Sequence, residues 1–104
     1  MSDAETLMAA IRARAASLRG LGYRVRFNLT DSGESILLDG TSPMVAVSEA
    51  AEEEADTVLS LSSADLAKLI GGKLSPMLAF STGRLRVEGS KGVALKLAGM
   101  LDED

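Results

Sequence analysis

Apolar and polar positions recur with two different periods along this chain, and the switches between them mark its elements. Leu7, Met8, Ile11, Ala15 and Leu18 fall three and four apart, one face of a helix. Ser2-Asp3-Ala4-Glu5 ahead of them fits a capping box, in which the Ser and Glu side chains each accept a free backbone N–H. Gly20 and Gly22 end that helix. The period then drops to two. Tyr23, Val25, Phe27 and Leu29 alternate with Arg24, Arg26 and Asn28, which predicts a half-buried strand. Asp31-Ser32-Gly33 is a turn. Ser35 to Asp39 reads as a second strand, so residues 23–40 make a hairpin, and Met44 to Ser48 is a short third strand.

The segment from Asp56 to Gly89 is the most informative. Thr57 to Ser62 is a fourth strand, and Ser62-Ser63-Ala64-Asp65 starts a helix with an acid in its first turn. Gly71-Gly72 stops that helix. Ser75-Pro76 starts another, with Ser as cap and Pro at the first helical position, and Gly83 ends it. Arg84 to Glu88 alternates as a fifth strand, with Leu85 and Val87 on one face. Ser90 caps a last helix, Lys91 to Leu101, whose Val93, Ala94, Leu97, Ala98 and Leu101 share a face broadened by Leu95 and Met100. The tail Asp102-Glu103-Asp104 is solvated. The order of elements predicts an α+β domain spanning residues 1–104, one mixed sheet with helices over one face.

The two middle helices are apolar on more faces than a surface helix needs. Leu66 to Ile70 and Pro76 to Phe80 together carry one charge, Lys68. Such area must meet a core, a partner or a bound apolar molecule. Burying one Leu-sized side chain contributes roughly 1.5–3 kcal/mol, so the surplus is not left in water without consequence. A cavity roofed by the last helices competes here with an ordinary core.

Composition narrows the chemistry. The 104 residues include no Cys and no His, which removes disulfides, thiolate catalysis, the usual neutral-pH acid/base and the commonest metal ligand. No nucleophile–base constellation can be assembled, so an enzyme is not expected, nor any cofactor or metal. A net charge of −4 argues against nucleic acid as a partner. No apolar run is long enough to span a membrane, and the acidic N-terminus is unlike a signal peptide, so a cytoplasmic protein is expected. Apolar residues are 46% of the chain but aromatics only 3%; Leu, Ala, Val and five Met make an interior that adapts to shape.

Three charged features have plainer readings. Glu49, Glu52, Glu53, Glu54 and Asp56 lack the alternation and the Gly of a calcium loop, and read as a solvated stretch. Arg12, Arg14, Arg19, Arg24 and Arg26 form a basic segment that could meet phosphate on an acyl-CoA or an anionic membrane, though Arg24 and Arg26 most simply form the solvent face of a strand. Gly89-Ser90-Lys91-Gly92 lacks the spacing of a phosphate loop and reads as a cap.

The run Gly72-Lys73-Leu74-Ser75-Pro76-Met77-Leu78-Ala79-Phe80, followed by Gly83-Arg84-Leu85-Arg86-Val87-Glu88-Gly89 and Ala94-Leu95-Lys96-Leu97, resembles the sterol carrier protein family of lipid-transfer domains. Leu59 to Leu66 extends the match upstream, and Phe27 with Leu38-Asp39-Gly40 fits more loosely. The resemblance implies a five-stranded mixed sheet covered on one face by helices, enclosing an apolar tunnel for a sterol, a fatty acid or a fatty acyl-CoA. It places Ile70, Met77, Phe80, Leu97, Met100 and Leu101 in the tunnel wall and Phe27 and Leu37 in its floor. The chain departs from the family in its acidic end, which is no peroxisomal address, and in Ile36-Leu37-Leu38, where many relatives carry an aromatic. Its composition is of bacterial type, which favours acyl chains or isoprenoids over sterols.

A non-enzymatic carrier of one lipid or acyl-CoA follows from this, with transient contact at a membrane surface. The competing expectation is an accessory protein that presents a lipid-like substrate to a biosynthetic enzyme, or dimerises with it, its tunnel filled by its own side chains.

Overall fold

A computed structural model of the protein describes residues 3–41, 44–49 and 54–102. The Ser2 cap, residues 50–53 of the acidic stretch and the tail residues Glu103 and Asp104 lie outside the described residues. Helix α1 (Asp3–Ala13) buries Ala4, Leu7, Met8 and Ile11, the stripe its spacing predicts. It ends earlier than its glycines suggest. At Arg14 the backbone leaves helical geometry (φ −102°, ψ 12°), and Ala15–Leu18 form a separate 3-10 turn. The Arg14 N–H bonds the Ile11 carbonyl at 2.9 Å and the Ser17 N–H bonds the Arg14 carbonyl at 3.0 Å, the tighter i to i+3 pattern. This break aims the Arg14 guanidinium at the ends of two later helices, as described below.

Strands β1 (Arg24–Leu29), β2 (Ser35–Asp39), β3 (Ala46–Glu49), β4 (Thr57–Leu61) and β5 (Arg86–Gly89) form one sheet in the order β3-β2-β1-β4-β5. Strand β1 runs parallel to β4, and the other neighbouring pairs are antiparallel. Side-chain period two decides which face is covered. Ile36, Phe27, Leu59 and Val87 are opposite one another and make a row across four strands. Val47, Leu38 and Val25 make the next row, also buried. Arg24, Arg26 and Asn28 occupy the alternate positions of β1 and face the other way.

Helices α2 (Ser63–Ile70), α3 (Pro76–Ser81) and α4 (Lys91–Asp102) complete the layer. Helix α1 packs on β2, β3 and α2, whereas α4 packs on β4, β5 and the 3-10 turn. The Ser62 hydroxyl accepts the Asp65 N–H at 3.1 Å, the predicted cap of α2. Asp31, from the hairpin turn, reinforces it. Its carboxylate accepts the Ser63 N–H at 3.0 Å and the Ser63 hydroxyl at 2.9 Å. Those bonds hold the Asp31 carboxyl below its ordinary value. Ser90 caps α4 by accepting the Val93 N–H at 3.3 Å. Ser75 stands at the cap position of α3, but its hydroxyl makes no cap bond among the described residues.

Strand β5 starts two residues later than its alternation predicts. The N–H groups of Arg84 and Leu85 both bond the Ala79 carbonyl, at 2.9 and 3.1 Å. They close the end of α3 and are not free to pair with β4. Strand β3 is likewise displaced, to Ala46–Glu49.

Gly89 has φ +83°, and a Cβ there would lie 2.8 Å from the Asp56 carbonyl oxygen, a backbone atom that cannot yield. Gly33 has φ +77° with nothing within 4 Å. Gly33→Ala should cost about 1 kcal/mol, the left-handed penalty alone, and Gly89→Ala about 3 kcal/mol with overpacking added. Urea denaturation of the two variants measures the difference; equal losses would show the close approach at Gly89 to be unimportant.

Because the Asp31 carboxyl is more acidic folded than unfolded, its contribution is complete above the ordinary carboxylate value and is lost as pH falls through the folded one. Asp31→Asn should therefore flatten the acid limb of the stability–pH curve. A variant curve parallel to wild type in that window would contradict this.

Candidate functional site

A cavity of about 150 Å³ lies between the β4–β5 half of the sheet and helices α3 and α4. Its floor is the row Phe27, Leu59 and Val87, extended by Leu85. These side chains meet because the parallel β1–β4 register sets Phe27 beside Leu59 and the antiparallel β4–β5 register sets Val87 next to it. The roof is α4, where Lys91, Ala94, Leu95, Ala98 and Leu101 recur at helical spacing and Leu97 packs deeper. The side walls are Leu69 from α2 and Pro76, Met77 and Phe80 from α3.

The lining residues differ in exposure. Phe27, Leu69, Leu97 and Leu101 are buried. Met77 is 55% exposed, Phe80 48% and Leu95 57%, so these three form an open apolar rim. Helix α3 causes this. It has six residues, of which only Pro76 and Ala79 are buried, and so it leans on the fold without closing the gap. Lys91 is the single charged residue of the lining.

The roof is pinned at both ends. At its start, the Ser90 N–H bonds the Asp56 carbonyl at 3.0 Å. At its end, the Arg14 guanidinium donates to the Leu101 carbonyl at 2.9 Å and also to the Ile70 carbonyl. One cation thus caps the final turns of α2 and α4, where unpaired carbonyls carry partial negative charge. Between the pins, Gly92 and Gly99 lower the helical propensity of α4.

Five of the residues assigned to the tunnel line this cavity: Phe27, Met77, Phe80, Leu97 and Leu101. Leu37, Ile70 and Met100 do not. Leu37 pairs with Arg26, and Ile36 is the residue opposite Phe27, so a shift of one position puts Leu37 on the far face of the sheet. Ile70 is buried in the core, but Leu69 takes the lining position, since successive helical residues point about 100° apart. Met100 lies half-buried against the core, well around α4 from the Ala94–Ala98 side that faces the cavity. Lining residues absent from that assignment had signals in the sequence. Leu59 alternates with Val58 and Ser60, and Lys91, Ala94 and Ala98 lie three and four apart, in helical phase with Leu101.

Four arginines of the basic segment, Arg12, Arg14, Arg24 and Arg26, bond within the fold. Arg12 donates to the Val47 carbonyl at 2.7 Å, and Arg26 donates through Nε to Asn28 Oδ1 at 3.1 Å. Arg24 lies 3.4 Å from Asp39. The Asp39 carboxyl is held low by the Thr41 hydroxyl and N–H, with Arg24 adding to it. Chemically, the cavity can exclude water from an apolar group. Its lining contains no second titratable side chain with which Lys91 could exchange a proton. No helix among the described residues is long and apolar enough to cross a membrane.

Comparison with known proteins agrees with this geometry. Residues 4–102 match the model of the SCP-2 sterol transfer family. Hydroxysteroid dehydrogenase-like protein 2 of Danio rerio is 46% identical over 48 residues, a stretch that is 46% of this chain and 12% of that protein. The chain therefore corresponds to a small part of that relative. Sterol Carrier Protein 2 from Yarrowia lipolytica, in its apo form, superposes with a TM-score of 0.72 at 27% identity, covering 90% of this chain and 85% of the other. Palmitated SCP2L2 from Aedes aegypti superposes with a TM-score of 0.75 at 23% identity, covering 95% and 94%. The five-stranded mixed sheet with its helical layer is the fold of these proteins.

Arg14→Met keeps the aliphatic stem and removes the donors that pin α4. It should cost about 2 kcal/mol, the range for hydrogen bonds from a charged donor. Native-state amide exchange should accelerate in the last turn of α4 more than in α1. Acceleration spread evenly over the chain would mean that Arg14 is not a specific restraint on the roof.

Proposed function

The chain belongs to the SCP-2 sterol transfer family, and from that premise we propose that it carries one acyl chain, as a fatty acid or fatty acyl-CoA, under α4 without altering it chemically. Lipid binding in general is what the family and its structural neighbours support. The observation that carries the finer reading is the cavity itself: apolar along its walls, with Met77, Phe80 and Leu95 exposed at its rim and Phe27, Leu97 and Leu101 buried in its lining. The palmitated state of the Aedes aegypti neighbour supports an acyl chain as the occupant.

Size sets the manner of loading. A volume of about 150 Å³ compares with an engineered apolar cavity that admits benzene, and lies below the ~300 Å³ at which ligand pockets generally begin. A full acyl chain therefore needs α3 and α4 to separate. The parts that would yield are the weakly anchored α3 and the α4 segment between its pins. Binding of this kind draws its free energy from dispersion and from apolar area removed from water.

Ala94 and Ala98 leave space between roof and floor because their side chains are small, and both are half-buried. Ala98→Phe should occupy the cavity, weaken binding of dodecanoate at least tenfold and leave the melting temperature unchanged or higher. Native mass spectrometry of the wild-type protein, with organic extraction of whatever travels with it, should release a fatty acid or acyl-CoA. A bare mass, together with no binding of dodecanoate by either protein, would overturn the carrier reading.

A further inference from the structure

We propose that α3 docks the protein on an anionic lipid bilayer, with Met77, Leu78 and Phe80 entering the interface and Lys73 and Arg84 meeting the head groups, whether or not the cavity holds a lipid.

Helix α3 turns apolar side chains to solvent, the reverse of an ordinary surface helix. Only Pro76 and Ala79 are buried, whereas Met77, Leu78 and Phe80 are about half exposed. At about 100° per residue those three span nearly half the circumference of the helix. A molecule in the cavity would cover Met77 and Phe80, which line it, but not Leu78, which does not. The last turn of α3 also has its backbone acceptors satisfied. The Met77 carbonyl accepts the Ser81 hydroxyl at 2.9 Å, and the Leu78 carbonyl accepts the Thr82 N–H at 2.9 Å and its hydroxyl at 2.8 Å. The Ala79 and Phe80 carbonyls accept the N–H groups of Arg84 and Gly83. Carbonyls that a helix end ordinarily leaves to water thus have partners in the chain, and this end loses little on leaving water.

Charge selects the kind of bilayer. Lys73 and Arg84 stand three residues before Pro76 and three after Ser81; both are exposed, and neither pairs with a carboxylate among the described residues. From Leu66 to Leu101 the chain has six cations and one acid, Glu88, although its net charge is −4. Asp39 and Glu49 lie on β2 and β3, on the far side of the sheet from β5. Charges act over about 8–10 Å in physiological salt, so a surface approached by α3 meets the local cations and not the net charge. Helix α1 is amphipathic too, but Ala4, Leu7, Met8 and Ile11 are buried, which leaves it no apolar face to offer. Lys96 gives an internal control. Its Nζ lies 5.4 Å from the centroid of the Tyr23 ring, ahead of β1, whereas β5 leaves α3 level with Asn28, near the other end of β1. The strand puts about 13 Å between Arg24 and Asn28, more than a screening length.

The test is cosedimentation of the full chain with vesicles of phosphatidylcholine, alone or mixed equally with phosphatidylglycerol. Wild type should bind the mixed vesicles at least tenfold tighter, and added salt should shrink that ratio. Lys73→Gln and Arg84→Gln should each weaken binding to the mixed vesicles about fivefold, the effect of one cation near an anionic surface. Lys96→Gln, with the same change in net charge, should weaken it less than about twofold. Leu78→Gln should weaken it about tenfold at any salt, with the melting temperature and the affinity for dodecanoate unchanged. Equal binding to both kinds of vesicle, equal losses in the three charge variants, or full binding by Leu78→Gln overturns the proposal. So does a dimer in solution that Leu78→Gln dissociates, since a second copy would then cover the face. Binding to the mixed vesicles without binding of dodecanoate supports the proposal and overturns the carrier reading alone.

Discussion

The structure depends on one constraint: a five-stranded sheet with a single apolar face must have that face covered along its whole width. Two rows of residues define the need, Ile36–Phe27–Leu59–Val87 and Val47–Leu38–Val25. Helix α1 meets it over β2 and β3 with Leu7, Met8 and Ile11, side chains large enough to fill the space. Over β4 and β5 the chain supplies α4, which turns Ala94 and Ala98 toward the sheet side of the gap, and α3, which is too short to reach across. The same rule of coverage thus produces a solid core at one side and a cavity at the other. The difference is two alanines and a six-residue helix.

The clamp at Arg14 belongs to the same logic. A roof with small residues beneath it gains less from packing than α1 does, so polar restraints matter more to its position. Arg14 provides one where α2 and α4 both end, and it can do so because the chain leaves α-helical geometry at that residue. A continuous helix through Leu18 would have pointed the guanidinium elsewhere. The irregularity at residue 14 is therefore linked to the cavity some distance away, through the end of its roof.

Most of the fold was legible because periods and stop signals are local. Gly71-Gly72, Ser75-Pro76 and Ser90 delimit helices by rules that need no tertiary knowledge, and each lies where an element begins or ends. Long-range properties were less legible. The start of β5 moved because the Ala79 carbonyl captured two N–H groups, a closure that no alternation pattern reveals. The resemblance placed Leu37 with Phe27, and because Ile36, Leu37 and Leu38 are all apolar, only the register with β1 says which of them faces inward. Arg14 read as one of a cluster of surface cations, since its partners are 56 and 87 residues away. Lys91 read as part of a cap, because its second property, membership of the lining, exists only once α4 lies across β5.

The cavity also carries an energetic cost that bears on why it exists. At roughly 24 cal/mol per Å³, an unfilled 150 Å³ forgoes up to about 3–4 kcal/mol of packing. That is a large share of the ~5–15 kcal/mol that a domain of this kind has in total. Leu or Met in place of Ala94 and Ala98 would recover part of it, and both residue types are plentiful elsewhere in the chain. A fold that needed only stability has no use for the gap, nor for Met77, Phe80 and Leu95 held half in water beside it. An occupant that fills the cavity and covers the rim recovers both terms at once, and it stabilises the folded state in proportion to its occupancy. The apolar surplus of α2, α3 and α4 is thus divided between a core that α2 completes and a space that α3 and α4 leave for something else to complete.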